Sequence, residues 1–209
     1  MPTTYVDFGL SLAVGTQSGL GTVNATIKAL TGALALADGI VLGDPEGGTG
    51  DTGFALSLTR EERDAADVAG SFTRAAGTFL QAAGTITIAT PLRGAGNDTG
   101  GTLSDADFDL SLTYPGLHAL LLGSGLTAAD WSGGNGREYT PATATPLTVK
   151  VWEGAASLAT GNAWVLMDCI VSSCEIDFAP GDVPIATFEL TIGSVESSAA
   201  NVTVPTFNY

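Results

Sequence analysis

Positive charge is scarce in this sequence of 209 residues: Lys and Arg total 7, Asp and Glu total 22, and the net charge is −15. Tight binding to nucleic acid and docking on an anionic membrane both depend on clustered Lys and Arg, so neither is the main activity. Only 14% of the residues are charged, whereas 44% are hydrophobic. An ordinary soluble domain has about 25% charged residues, so we expect much of the surface to be buried against copies or partners.

Cysteine and histidine are also rare, with two Cys and one His. In a continuous strand Cys169 and Cys174 would point to opposite faces about 16 Å apart, too far for a disulfide, which predicts free, half-buried thiols. Without carboxylates, these cysteines and His118 fall short of the four ligands of structural zinc. A Ser-His-Asp or Cys-His site would need His118, which we expect instead to be hydrogen-bonded or solvent-facing.

One stretch resembles a calcium loop at its start. Asp105, Asp107 and Asp109 show the D-x-D-x-D pattern, but the sixth position is Leu110 and the twelfth is Gly116, where such loops need glycine and glutamate. We interpret these aspartates as polar positions of a strand. No feature selects a carboxylate pair among the 22 acids, so we predict no enzyme activity and no catalytic, metal or cofactor residues.

Long apolar runs are absent as well. No uninterrupted run of about 18 apolar residues exists, because Asp38 ends the most hydrophobic part of the amino-terminal region. We therefore predict no transmembrane helix. The first ten residues lack the basic and apolar regions of a secretory signal, so cytoplasmic synthesis is the expectation.

The most informative stretch that is present runs from Trp164 to Ile192. Its first half alternates apolar residues of even number, ending in Cys174, Ile176 and Phe178, with polar residues of odd number towards its end. Residues 179–182, APGD, have turn chemistry, and alternation resumes in residues 185–192. This pattern predicts a hairpin with a dry face and a polar face that carries Glu175, Asp177 and Glu189, and such a ribbon must pack its apolar face on another sheet.

Short strands separated by turns are predicted over most of the remaining chain. Asn24 to Ala37 is ambiguous between helix and strand, with a weak preference for strand. The expected features are an arm or a strand with a loop at 1–23, loops at 43–53 and 130–146, a turn at 61–67, and strands at 54–59, 70–80, 85–90, 107–112, 147–152 and 201–204.

One short helix is predicted after Tyr114-Pro-Gly, ending near Gly123. Leu120 and Leu121 follow Leu117 at spacings of three and four residues, so the three leucines form one apolar stripe on this helix. The whole pattern predicts a single domain over residues 1–209, mainly β, with a sandwich or barrel-like architecture, one short α-helix and long loops.

Four stretches resemble the tail tube proteins of tailed bacteriophages. They are GTQSGLGTVNATIKAL near the amino terminus, GSFTRAAGTFLQAAGTITIATPLRG in the centre, SLTYPGLHALLLGSG, and the closing DCIVSSCEIDFAPGDVPIATFELTIGS. Each is a pattern of turns and alternation, without a signature of catalytic residues. Together they span most of residues 15–194, and the loops at 43–53 and 130–146 depart from the family pattern.

The resemblance implies a structural virion protein without a cofactor. Its subunits would form hexameric rings that stack into a tail tube, the conduit for DNA ejection, after assembly in the host cytoplasm. Glu175, Asp177 and Glu189 would line the lumen, and Leu117, Leu120 and Leu121 would pin the helix to the sandwich. The implied partners are copies of the chain, the tape measure, terminator, baseplate or sheath proteins, and DNA passing without tight binding.

A monomeric secreted β-sandwich that binds carbohydrate is the alternative. Trp131, Trp152 or Trp164 would then form a stacking platform, although core packing is the more common role of tryptophan.

Overall fold

A computed structural model describes residues 10–30, 34–35, 53–63, 78–92, 110–130, 137–153, 161–178, 180–181, 184–202 and 207–208. Antiparallel strands dominate these ranges, which confirms the prediction of a mainly β chain. The sandwich or barrel-like closure of the strands stays a prediction, as does the extent of the domain.

The elements follow one another as eleven strands and three helices within the described ranges. In chain order they are β1 (Leu10–Thr16), α1 (Ala25–Ala29), β2 (Leu34–Ala35), β3 (Gly53–Arg63), β4 (Thr78–Pro91), α2 (Leu110–Thr113), α3 (Pro115–Gly123), β5 (Leu126–Asp130), β6 (Arg137–Pro141), β7 (Leu147–Glu153), β8 (Gly161–Asp177), β9 (Ile185–Ile192), β10 (Ser194–Val202) and β11 (Phe207–Asn208).

Strand β8 organises a seven-stranded sheet. The path through the sheet is β1-β7-β8-β9-β4-β3, and β10 also pairs with β8. The first part of β8 pairs with β7 and β10, and its second part pairs with β9. A 17-residue strand therefore belongs to two sets of neighbours in succession.

Two buried clusters hold these strands. The larger lies on one face of the sheet and includes α3; it contains Leu12, Val14, Ile86, Ile88, Leu117, Leu120, Leu147, Val149, Leu166, Phe188, Leu190 and Ile192 among others. The smaller joins Ala13, Ile27, Trp152 and Ala163 beneath α1. Strands near β7 are thus covered on both faces.

The weak preference for strand in residues 24–37 is wrong for its first part, which forms α1. Asn24 caps this helix, because its Oδ1 accepts from the N–H groups of Thr26 (3.0 Å) and Ile27 (3.1 Å). At the other end, Lys150 Nζ donates to the carbonyls of Lys28 (2.6 Å) and Leu30 (2.7 Å). These partners satisfy end groups of a helix only five residues long.

Other predicted boundaries are also corrected. The strand expected at 107–112 is helical over its described residues, which belong to α2. The turn expected at 61–67 is strand as far as Arg63, because β3 continues across a bulge after Thr59 to pair with β4. The loop expected at 130–146 contains β6, which pairs with β5, while its residues 131–136 lie outside the described part. Of the loop expected at 43–53, residues 43–52 lie outside the described part and Gly53 begins β3.

Two further strands differ in extent from their predictions. The pieces expected at 70–80 and 85–90 are one strand from residue 78 onwards, because β3 pairs with β4 along both pieces, from Thr78 to Ala89, across one bulge. The strand expected at 201–204 is, over its described residues, the end of β10, which begins at Ser194. Across the described residues, none of the helices has the length and apolar character needed to cross a membrane.

Candidate assembly surface

The two halves of β8 lie in different surroundings. Residues 161–167 have β7 on one side and β10 on the other, Cys169 pairs with β7 alone, and Val165, Leu166 and Cys169 are buried. Residues 170–177 pair with β9, and no other described strand pairs with them. Their second edge, here called the free edge, therefore leaves backbone N–H and C=O groups without a described strand partner.

Two irregularities divide β8. Asp168 has φ 54°, a left-handed conformation that is uncommon for residues other than glycine. Gly193, between β9 and β10, passes so close that a Cβ there would lie 2.7 Å from Asp168 Cβ. Beyond the bend, a bulge shifts the pairing with β9 between Val171 and Ser173. The residues of β8 that face the core therefore switch from even to odd numbers at the bend and back to even numbers at the bulge.

The register of the hairpin places the three predicted acids on one face. Glu189 is paired with Ser173, while Glu175 and Asp177 follow at alternate positions of β8. The opposite face of β9 carries the buried Phe188 and Leu190. We call Glu175, Asp177 and Glu189 the acidic face.

Hydroxyl groups surround the acids. Ser173 Oγ donates to Glu189 Oε2 (3.3 Å), and Ser172 Oγ donates to the Glu189 carbonyl (3.0 Å). On β4, Thr87 is paired with Glu189. None of these contacts supplies a positive charge, so the described face is negative and polar.

The predicted dry face is wrong at the end of the hairpin. Ile176 pairs with Ala186 and therefore lies on the same side as the core, yet 40% of its surface is exposed, and Phe178, one residue beyond β8, is 70% exposed. Ile170 is also displaced from the predicted dry side: it pairs with Thr191 on the polar face and is 37% exposed. The bend at Asp168 and the bulge after Val171 cause this change of parity, which the sequence pattern does not reveal.

The same irregularities correct the placement of the thiols. Cys169 is buried and Cys174 is exposed, and both are free, as predicted. Cys174 is paired with Phe188, whose side chain lies in the core, so the register puts it on the core side of the sheet and not on the opposite side from Cys169. Burial, followed by the charge of Asp168, raises the pKa of the Cys169 thiol to about 12.

A loop over residues 17–24, here called the clip loop, is fastened to the bend of β8. Gly21 N–H donates to Asp168 Oδ1 (2.8 Å), and Asp168 N–H donates to Gln17 Oε1 (3.2 Å). Gln17 N–H also donates to the Pro146 carbonyl (2.8 Å). The loop nevertheless presents Leu20 with 71% of its surface exposed.

The three predicted helix leucines point into the larger cluster. Leu117, Leu120 and Leu121 are at most 8% exposed, and Pro115 begins the helix at a position where its missing N–H costs nothing. His118 on the same helix lies with its Nδ1 2.7 Å from the Tyr139 hydroxyl, within hydrogen-bond distance. This contact agrees with the interpretation of His118 as a hydrogen-bonded residue.

The described residues offer little to the alternative site chemistries. No three His, Cys, Asp or Glu side chains within the described ranges are grouped to hold a metal ion. Trp152 is 1% exposed under the Lys150 ammonium, and Trp164 is partly buried against the core, so neither forms an open platform for sugar. Trp131 and the aspartates at 105, 107 and 109 lie outside the described part.

Sequence reasoning missed Leu20, Asp168 and the free edge. The first had a readable signal, a glycine on each side of a lone leucine, although glycine-flanked leucines are common in turns. No signal marks Asp168, because its conformation results from the switch of β8 between two sets of partners.

No protein-family model matches the chain, and no curated protein sequence matches it. Among solved structures it is similar to a chain of the anti-feeding prophage (AFP) baseplate, with 12% identity, 95% of this chain and 97% of that chain covered, and a TM-score of 0.37. It is also similar to the SPP1 tail tube, with 10% identity, coverage of 97% and 81%, and a TM-score of 0.36.

A third similar structure is the sheath-tube complex of an extracellular contractile injection system, PVC, with 9% identity, coverage of 95% and 94%, and a TM-score of 0.36. TM-scores of this size carry no argument about this chain, whose interpretation rests on its own geometry. The structural neighbours are tail tube, sheath-tube and baseplate components of phage tails and phage-like particles.

Proposed function

We propose that this chain is a structural subunit of a phage tail tube, in which hexameric rings stack into the conduit for DNA ejection. The observation that carries the proposal is the four-stranded part of the sheet, β8-β9-β4-β3, which ends in the free edge of β8 on one side and in β3 on the other. Two edges of one sheet that have no further partner among the described strands suit a head-to-tail contact that closes into a ring.

Pairing of the free edge with β3 of the next copy would continue the sheet across subunits. It would remove both unpaired edges, which otherwise promote uncontrolled association. The acidic face would then line the lumen, because the opposite face of the sheet packs on the core. An acidic wall has no cations to displace the counterions of DNA, so DNA would slide along it without sticking.

The rest of the assignment follows from this role. The chain acts without an enzyme activity or cofactor, as one domain over residues 1–209, in the virion tail after assembly in the host cytoplasm. Its partners are its own copies and the tape measure, terminator, baseplate or sheath proteins. No observation on the described residues favours the carbohydrate-binding alternative.

Electron microscopy combined with hydrogen exchange tests the proposal. Negative stain of the purified protein is expected to show rings or tubes. Amides in residues 170–177 and 53–63 should gain protection on assembly, whereas those in residues 161–167, already paired on both edges, should change little. Particles that remain monomeric at high concentration would overturn the proposed function, and rings with unchanged exchange at both edges would overturn the pairing.

A further inference from the structure

The clip loop presents an apolar side chain in a fixed position. Besides its contacts to Asp168, the loop has an internal turn in which Thr22 N–H donates to the Gly19 carbonyl (3.3 Å). Asn24 closes it, because its Nδ2 donates to the Thr16 carbonyl (2.8 Å) and its N–H donates to Thr148 Oγ1 (2.9 Å). These hydrogen bonds hold the clip loop in place, so the Leu20 side chain is kept away from the core of its own subunit.

A single exposed leucine is ordinary on a protein surface. Two features set Leu20 apart: the loop is preorganised, so little conformational entropy is lost when it docks, and no charged residue occurs between Asp7 and Lys28 in a chain of net charge −15. A neutral, rigid apolar projection can approach an acidic surface without electrostatic repulsion.

The far end of the same hairpin offers an apolar patch beside the acidic face. Ile176 and Phe178 are exposed there, and Asp177, which lies between them in the chain, belongs to the acidic face on the other side of the strand. From Asp168, which holds the clip loop, to Phe178 the chain runs ten residues in mainly extended form, about 30 Å at the usual strand rise. Leu20 and Phe178 therefore cannot meet within one molecule.

We infer that the clip loop of one copy docks through Leu20 on the apolar hairpin end, Ile176 and Phe178, of a second copy. The inference rests on the proposed function and names the contact between successive rings. Pairing of strand edges adds copies in the direction perpendicular to the strands. A contact between opposite ends of the hairpin adds copies in the direction parallel to the strands. The first direction builds a ring and the second stacks rings.

Disulfide trapping tests the contact directly. Full-length Leu20→Cys and Phe178→Cys chains, each also carrying Cys174→Ser to remove the exposed native thiol, are mixed under assembly conditions and oxidised. A disulfide-linked dimer is expected from the mixture and not from either chain alone. The matched control replaces Leu20→Cys by Thr26→Cys, an exposed position on α1. No dimer, or equal dimer from the control, would overturn the inference.

Microscopy of Leu20→Ser separates this inference from the proposed function. The variant should keep the melting temperature of the parent and form single rings, with tubes reduced at least tenfold. Parent tubes accompanied by normal Leu20→Ser tubes would overturn the docking contact alone. Absence of rings and tubes from the parent would overturn the proposed function and the contact with it.

Discussion

The two halves of β8 carry similar apolar side chains but differ in what covers them. Leu166 and Cys169 in the first half are fully buried, whereas Ile176 in the second half is 40% exposed on the same side of the sheet as the core, and Phe178, just past the end of the strand, is 70% exposed. Residues 161–167 have strands on both edges, whereas residues 170–177 have β9 alone among the described strands. Apolar alternation thus specifies a surface to be covered, and under the proposed assembly a second copy would cover the second half.

The largest difference between the halves is expected for truncation of an apolar side chain. Leu166→Ala removes a side chain that is 0% exposed, which should lower the free energy of unfolding by about 2–5 kcal/mol through lost burial and a residual cavity. Ile176→Ala removes one already partly in water and should cost the monomer less than about 1 kcal/mol. Urea unfolding at a concentration that keeps the chain monomeric measures both.

Ile176→Ala should instead weaken assembly, because its side chain belongs to the hairpin end that a second copy would cover. Equal losses of monomer stability for the two variants would break the comparison, since they would place Ile176 in a core of its own subunit.

The two cysteines test the same difference between the halves of β8, with smaller expected losses of stability. Cys169→Ser buries a hydroxyl in an apolar site, with an expected loss of about 1–3 kcal/mol if the hydroxyl lacks a partner. Cys174→Ser changes an exposed side chain and should stay within about 0.5 kcal/mol. A thiol reagent should label Cys174 in the native monomer and Cys169 only on unfolding, and rapid native labelling of Cys169 would contradict its burial.

Alkaline pH supplies a second measurement on Cys169. Its pKa is raised from 9.0 to about 12, so the native state keeps a proton that the unfolded state releases. This group's contribution to stability is complete below pH 9 and is lost as the pH rises from 9 towards 12. Cys169→Ser should remove this part of the alkaline destabilisation, and an unchanged pH dependence relative to Cys174→Ser would refute the assignment.

Much of the hairpin was predictable because its signals are local. Alternation in residues 185–192 and turn chemistry around Gly181, which has φ 93°, are properties of neighbouring residues. The leucine stripe on α3 is local in the same sense. The acids of the acidic face lie on either side of the turn, beyond the bulge, so their relative placement did not depend on it.

The rest depended on contacts distant in sequence. Asp168 adopts its conformation where β8 changes partners and where Gln17 and Gly21 bind it, across about 150 positions of chain. Helix α1 is stabilised by Lys150 from strand β7, although its Asn24 cap was a start signal that the sequence itself contains. The faces of the sheet predicted for Ile170 and for the two cysteines were wrong for the same reason. One inserted residue moves every later side chain of the strand to the opposite face.

The smallest effect on stability, and the most specific test of function, is expected on the acidic face. The double substitution Glu175→Lys and Glu189→Lys changes two exposed side chains and loses only the 3.3 Å hydrogen bond from Ser173, so the free energy of unfolding should move by about 0.5 kcal/mol or less. Ring symmetry would repeat the new cations around the lumen, where they would bind phosphates and release counterions. DNA ejection should slow at low salt and recover as salt screens the cations.

The matched control, Glu175→Gln with Glu189→Gln, removes negative charge without adding positive charge. It should weaken repulsion of DNA slightly and leave ejection close to the parent's at every salt concentration, because no cation is present to drive counterion release. Ejection rates measured across a salt series therefore distinguish the effect of added positive charge from the effect of lost negative charge. Lysine particles with normal tails and parental ejection at low and high salt would show that this face lies away from the channel, and the hairpin would then belong to a contact between subunits.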